Sequence, residues 1–107
     1  MKKILLILTT LIIQLFSDGL DDAIKELNSQ NFEKGIELLT PYVEQNNPQA
    51  LYTLGRLYFE GYGVKVDNSK AFDLFTRASN QEYYPAKYEL GLFYLDENSV
   101  QERDYKR

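Results

Sequence analysis

Residues 50–82 read ALYTLGRLYFEGYGVKVDNSKAFDLFTRASNQE, and this stretch decides the fold. In its first half, apolar residues recur at the spacing of one α-helical face: Ala50, Leu51, Leu54, Leu57 and Tyr58. The segment Gly61-Tyr62-Gly63 then ends the helix, because glycine adopts a positive φ at little cost. Asp67 or Asn68 can cap a second helix, whose apolar face is Ala71, Phe72, Leu74, Phe75 and Ala78. The stretch therefore predicts two helices joined by a short loop.

Positions of this pattern recur 36 residues away in both directions. Ala50, Leu54, Gly55 and Tyr58 have counterparts in Ala86, Leu90, Gly91 and Tyr94, and Lys34, Ile36, Leu38 and Thr40 have counterparts in Lys70, Phe72, Leu74 and Thr76. A period of this length accommodates two short helices and two turns. The sequence therefore predicts a structural repeat.

Three further helices complete the prediction of an all-α fold with five helices. The first helix has the apolar face Leu20, Ala23, Ile24 and Leu27. The second has the apolar face Phe32, Ile36, Leu39 and Val43, and Pro41 is expected to bend it. The fifth runs from about Pro85 to Leu95, with the apolar face Ala86, Leu90, Phe93 and Tyr94. Gly55 and Gly91 lie in mid-helix, where glycine costs about 1 kcal/mol relative to alanine. We expect both to allow close approach of a neighbouring helix, with Tyr58 and Tyr94 filling the gap between helices.

The first 19 residues have the order of a secretory signal peptide. Lys2 and Lys3 precede an apolar run over 4–16, and Ser17, Asp18 and Gly19 follow it. The run spans about 20 Å as a helix, less than the ~30 Å hydrocarbon core of a bilayer. We expect residues 1–19 to direct export to the bacterial periplasm or the medium, with cleavage after Ser17 or Gly19. An uncleaved anchor is the alternative.

The composition excludes several kinds of site. The chain has no His and no Cys, which excludes a zinc finger, an imidazole base, a thiol nucleophile and a disulfide framework. Its net charge of −4 argues against nucleic acid as a partner, because nucleic-acid binding requires a basic face. We expect no metal, no cofactor and no membrane contact after cleavage of the signal peptide. Function by binding is therefore the first hypothesis.

Residues 50–82 resemble a Sel1-like repeat, a longer-looped relative of the tetratricopeptide repeat. Twelve positions match the family pattern at its spacing: Ala50, Leu54, Gly55, Tyr58, Gly61, Gly63, Val64, Asp67, Lys70, Ala71, Phe75 and Ala78. Residues 86–94 resemble the opening of another repeat, and residues 31–49 resemble the helix that commonly leads such arrays. For residues 20–107 the resemblance implies a short α/α superhelix of about two and a half helix pairs.

The chain departs from the family pattern in three places. Ser79 replaces a second alanine, and Glu82 stands where the family usually has glycine. After Tyr94 the glycine loop is replaced by Glu97-Asn98-Ser99-Val100. We therefore expect a truncated last repeat. Either the last helix caps the stack with its own polar face, or the chain is the remnant of a longer array.

The resemblance also implies a binding surface. In stacked helix pairs the first helices line a concave groove, and the family uses such surfaces to hold partner proteins. By analogy with the tetratricopeptide register, the residues expected to project into the groove are Tyr52, Arg56, Phe59, Tyr88, Leu92 and Leu95. Aromatic side chains around an arginine are typical of binding hot spots. Replacing Tyr52 and Arg56 by alanine is expected to weaken binding and leave the fold intact. Burial of Phe59, Leu92 and Leu95 by neighbouring helices or in a homodimer is the alternative.

Three functions remain open on the sequence alone. The first is an exported, non-enzymatic module that binds another protein through its concave face. The second is a periplasmic immunity or inhibitor protein, because a small acidic protein suits a basic toxin or enzyme. The third, more remote, is a cell-wall hydrolase that uses paired carboxylates such as Asp96 and Glu97.

Overall fold

The computed structural model describes residues 19–105, and it describes side chains for residues 19–95. This part of the chain forms five helices and no strand. They are α1 over residues 19–28, α2 over Phe32–Glu44, α3 over Pro48–Glu60, α4 over Asn68–Ser79 and α5 over Tyr84–Tyr105. The predicted all-α fold of about two and a half helix pairs is confirmed. The predicted signal peptide lies almost wholly outside the described residues.

The first part of the core joins the first three helices. Its buried residues are Leu20 and Ala23 from α1, Leu39 and Tyr42 from α2, and Ala50 and Leu57 from α3. Helix α2 continues through Pro41 to Glu44. Helix α3 begins at Pro48, where a proline costs nothing because the first N–H of a helix has no partner inside the helix. The Asn47 side chain caps it by accepting a hydrogen bond from the Ala50 N–H at 3.0 Å.

The loop between α3 and α4 follows the glycine pattern of the sequence. Gly61 ends α3 in the left-handed region, at φ 78°, and Gly63 repeats this conformation at φ 74°. Asp67, rather than Asn68, is the cap of α4, and its carboxylate accepts a hydrogen bond from the Lys70 N–H at 3.0 Å. The Lys70 ammonium lies 4.9 Å from the centre of the Tyr58 ring, so this lysine contacts an aromatic face within the repeat.

The second part of the core joins the last three helices. Its buried residues are Leu51 from α3, Leu74 and Ala78 from α4, and Ala86 from α5. A cluster of aromatic rings extends this contact: Phe59 and Phe93 at 5.4 Å, Phe72 and Phe93 at 6.0 Å, and Phe75 and Phe93 at 6.2 Å between ring centres. Helix α5 therefore docks with its Ala86 and Phe93 side against both α3 and α4.

Two sequence expectations about the fifth helix were wrong. The helix does not end near Leu95 but continues to Tyr105. The reason is that Gly61, which ends α3, has Glu97 as its counterpart 36 residues later, so no left-handed residue stops α5. Gly91 does not mark a close approach between the described residues, since none of their atoms lies within 4 Å of a Cβ placed there. The corresponding expectation for Gly55 is confirmed, since Phe75 packs directly on it.

The turn between α4 and α5 explains another departure from the repeat pattern. Glu82 has φ 63°, in the left-handed region that glycine adopts most easily. Asn46, 36 residues earlier, has the same conformation at φ 62°. A glycine at position 82 is therefore what this backbone favours, and the glutamate there is strained.

Candidate functional site

A groove of about 580 Å³ lies between α1 and α3. Its apolar walls are formed by Ile24, Leu27, Phe32, Tyr52, Leu57, Tyr62 and Tyr83. Its polar lining includes Asn28, Gln49, Arg56 and Glu60. An apolar cleft with a few polar groups is typical of a surface that receives another molecule.

Tyr52 forms part of the groove wall and part of the packing between helices. Its ring lies 5.6 Å from that of Phe75 on α4 and 5.6 Å from that of Tyr83, just before α5. Its hydroxyl lies 3.5 Å from a Glu89 carboxylate oxygen on α5. Burial raises the pKa of the Tyr83 hydroxyl, and the nearby Tyr52 adds to this shift. Tyr52 therefore holds three helices together as well as facing the groove.

Arg56 lies between two carboxylates on the same face. Its Nη1 is 3.3 Å from Glu89 Oε1, and its Nη2 is 3.3 Å from Glu60 Oε1. Nη1 also donates a hydrogen bond to the Tyr52 hydroxyl at 3.4 Å. This hydrogen bond raises the pKa of Arg56 despite desolvation, and the charges of Glu89 and Glu60 act in the same direction. The guanidinium is thus already paired, and the group of one arginine and two glutamates carries net negative charge.

The end of the groove is formed by two stacked rings. Phe32 at the start of α2 and Tyr62 in the glycine loop are nearly parallel, at 7°, with their centres 5.4 Å apart. Gly63 makes this approach possible, because a Cβ at this position would collide with the Phe32 Cβ. The glycine loop after α3 is therefore fixed against the preceding helix pair.

The structure distributes the six predicted binding residues over three locations. Tyr52 and Arg56 line the groove between α1 and α3, with the paired contacts described above. Phe59 packs on Phe93 in the aromatic cluster. Tyr88, Leu92 and Leu95 are exposed on the outer side of α5. The Tyr52 ring packs on Phe75 and Tyr83, so we now expect its removal to cost stability, contrary to the expectation from the sequence.

The same 36-residue unit that the sequence shows is matched by a family model. The model is that of the Sel1 repeat, and it matches residues 48–83 and 85–107. The chain belongs to the Sel1 repeat family. Sel1 repeats generally mediate protein–protein interaction, and the family is typically non-catalytic. No solved structure matches this chain.

The two Sel1 matches correspond to the helices directly. The first covers α3, the glycine loop and α4, which form one complete helix pair. The second covers α5, the first helix of the next unit. The groove therefore lies where the first complete Sel1 repeat meets the helix pair α1–α2.

Among the residues that line this groove, only Tyr52 and Arg56 were predicted from the sequence as binding residues. Ile24 and Leu27 were assigned only to the buried face of α1, and Phe32 only to that of α2. Tyr62 could have been predicted as a surface residue of the groove, because an aromatic residue between two glycines of a Sel1 loop does not lie on the buried face of a helix. Among residues 19–95, no cluster of three or more acidic side chains is arranged to hold a metal ion. None of the described helices is long and apolar enough to cross a membrane.

Proposed function

We propose that this chain is an exported Sel1 repeat protein that binds a partner protein in the groove between α1 and α3. The observation that carries the proposal is the groove itself, with aliphatic and aromatic walls and several polar side chains in its lining. Aromatic side chains in such a position supply most of the binding energy in protein interfaces. Four rings line this groove, those of Phe32, Tyr52, Tyr62 and Tyr83.

The shape and chemistry of the groove favour a particular kind of ligand. The apolar walls suit a partner segment with aliphatic or aromatic side chains. The hydroxyls of Tyr52, Tyr62 and Tyr83 and the carboxylates beside Arg56 suit hydrogen-bond donors on that segment. Because Arg56 is already held by Glu60 and Glu89, it fixes α3 to α5 and is not a free site for a carboxylate of the partner.

Export is the second part of the proposal. It is supported by the order of residues 1–19, with two lysines, a 4–16 apolar run and small or polar residues after it. The partner is then a periplasmic or extracellular protein. Fractionation of cells that express the full chain tests this directly. Recovery of a shortened chain in the periplasm or medium is expected, and a full-length chain in the cytoplasm would contradict it.

The binding test compares two matched ion pairs. Arg56→Ala/Glu60→Ala removes a pair at spacing i, i+4 that lines the groove. Arg77→Ala/Asp73→Ala removes a pair of the same spacing on α4, outside the groove lining. Both i, i+4 pairs are partly exposed and contribute little to stability. Arg56→Ala also removes the ion pair with Glu89, so thermal unfolding must first show that the groove variant is folded. A partner captured from periplasmic extract by the wild type and the α4 variant, but not by the groove variant, is expected. Equal retention by all three proteins would contradict binding at the Arg56 and Glu60 wall of the groove.

A second candidate function, inhibition of a basic toxin or enzyme, is favoured by the charge of the chain. The net charge is −4, and removal of residues 1–17, which contain two lysines and no acid, makes it −6. An acidic binder of a basic partner should lose affinity steeply with salt, because surface charge steers such association. A partner of basic isoelectric point with strongly salt-dependent binding would support inhibition over a neutral adaptor role.

A further inference from the structure

The outer side of α5 carries a row of exposed apolar side chains. Tyr84 is 76% exposed, Tyr88 68%, Leu92 45% and Leu95 67%. Their spacing of three or four residues puts them on one side of the helix, opposite Ala86 and Phe93, which face the core. Gly91 lies in the same row, with open space above it. We call Tyr84, Tyr88, Gly91, Leu92 and Leu95 the α5 stripe.

The repeat shows what this kind of surface normally contacts. Tyr88 and Gly91 correspond to Tyr52 and Gly55 on α3, 36 residues earlier. On α3 these positions are covered by the next helix, whose Phe75 packs on both of them. Nothing in the described part of the chain covers the same positions on α5. The α5 stripe is therefore a helix-packing surface and not an ordinary solvent-facing side.

We propose that a second copy of this chain covers the α5 stripe, with two α5 helices packed antiparallel and crossing near Gly91. A tyrosine or leucine that is half to three-quarters exposed contributes on the order of 100 Å² or more, so the stripe offers roughly 500 Å² per copy. Two copies then bury about 1,000 Å², which reaches the lower limit for a specific interface.

The stripe is complementary to itself. Gly91 leaves a depression near its middle, and Tyr88 and Leu95 stand three residues before and four residues after it. In an antiparallel crossing at Gly91, the Tyr88 side of one copy meets the Leu95 side of the other, as a two-fold interface requires.

This surface is separate from the groove between α1 and α3. No residue of the stripe belongs to the groove lining, so a dimer through α5 leaves both grooves open. The inference therefore does not depend on the proposed partner binding. A dimer of this kind has two grooves, and binding of a partner in both grooves would be bivalent.

The test is the molar mass of the protein recovered from expression of the full chain, measured by sedimentation equilibrium over a wide range of concentration. A dimer is expected. Tyr88→Ser/Leu95→Ser should raise its dissociation constant at least about tenfold, because it removes two central contacts. Val66→Ser removes an apolar side chain that is 54% exposed in the loop before α4, and it should leave the dissociation constant unchanged.

Gly91→Leu gives the sharpest result. It should weaken the dimer by filling the crossing point, and it should raise the melting temperature of the dilute monomer, because leucine is a better helix former and meets no neighbour there. A wild-type protein that is monomeric at all concentrations overturns the proposal. So does a dimer that keeps its affinity in Gly91→Leu and in Tyr88→Ser/Leu95→Ser, since it must then use another face.

Discussion

Gly55 of α3 lies directly under the ring of Phe75 of α4. A Cβ on Gly55 would be 2.7 Å from Phe75 Cε1 and 2.8 Å from Cδ1, closer than real Cβ atoms approach other atoms. Phe75 is fully buried, so its ring has no free space into which it can move. The glycine lowers the intrinsic stability of α3, and the contact that it permits joins the two helices of the complete Sel1 repeat.

Replacement of Gly55 should therefore destabilise the protein although it improves helix propensity. Overpacking a core typically costs about 1–3 kcal/mol, and Gly55→Leu is expected at the upper end of that range or beyond. In a domain of this size each kcal/mol lowers the melting temperature by roughly 4–8 °C. Thermal unfolding followed by circular dichroism measures the loss.

The contact with Phe75 can be tested by a double-mutant cycle. Phe75→Leu alone should destabilise by leaving a cavity, and in that background Gly55→Ala should cost less than it does in the wild type. Additive effects of Gly55→Ala and Phe75→Leu would show that the two residues do not oppose each other at this crossing.

Tyr52 should prove important for stability. Tyr52→Ala is expected to cost about 2 kcal/mol, because it removes a half-buried ring that packs on Phe75 and Tyr83. Tyr52→Phe keeps the ring and removes only the hydroxyl beside Arg56 and Glu89, so it should cost well under half as much. Urea unfolding compares the two variants, and equal losses would mean that the hydroxyl contributes more than the ring.

Asp67 should stabilise α4 through its cap. Asp67→Ala removes the acceptor for the Lys70 N–H and is expected to lower the free energy of unfolding by about 1 kcal/mol. Asp67→Asn keeps an acceptor oxygen and should retain most of the stability. If Asp67→Asn is as unstable as Asp67→Ala in urea unfolding, the carboxylate charge rather than the hydrogen bond supports the helix.

Glu82 offers a substitution that should stabilise the chain. Glu82→Gly relieves a left-handed conformation at φ 63° and is expected to add up to about 1 kcal/mol, although it removes the exposed ion pair with Lys87. Asn46→Gly is the matched control at φ 62°. It should give no gain, because asparagine tolerates this conformation and its side chain accepts a hydrogen bond from Arg77. A melting temperature that falls in Glu82→Gly would contradict the assigned strain.

Tyr83 should contribute to the loss of stability at alkaline pH. Its pKa is raised in the folded protein, so the unfolded chain releases this proton first as the pH rises. The stabilisation is complete below the unfolded pKa of about 10 and decreases above it. Tyr83→Phe should make the melting temperature fall less steeply above about pH 10.

The repeat register made most of the fold predictable from particular residues. Gly61 ends α3 as the sequence predicts, and Asp67, one of the two caps that the sequence left open, begins α4. The prediction of a close helix approach fails at Gly91, because the sequence does not show whether another helix packs against a glycine. The repeat pattern also failed to predict the length of α5. Glu97 in place of glycine showed a departure from the pattern, but it did not show that the helix continues.

The candidate site was predictable only in part. Tyr52 and Arg56 were predicted as partner-binding residues by analogy with the tetratricopeptide register, and both line the groove. Ile24 and Leu27 were missed because hydrophobic periodicity shows that a residue faces other elements, but not whether that position ends under a helix or beside a groove.

The sequence was sufficient to predict the 36-residue unit and most helix boundaries, though not the end of α5, because capping, helix propensity and periodicity are properties of neighbouring residues. The tertiary structure alone decided which exposed residues share a surface. It paired Arg56 with Glu89 across 33 positions, placed Phe59 on Phe93 and left the α5 stripe open. These contacts depend on how whole helices pack against one another. The sequence of a single helix does not show which other helices will cover its surface.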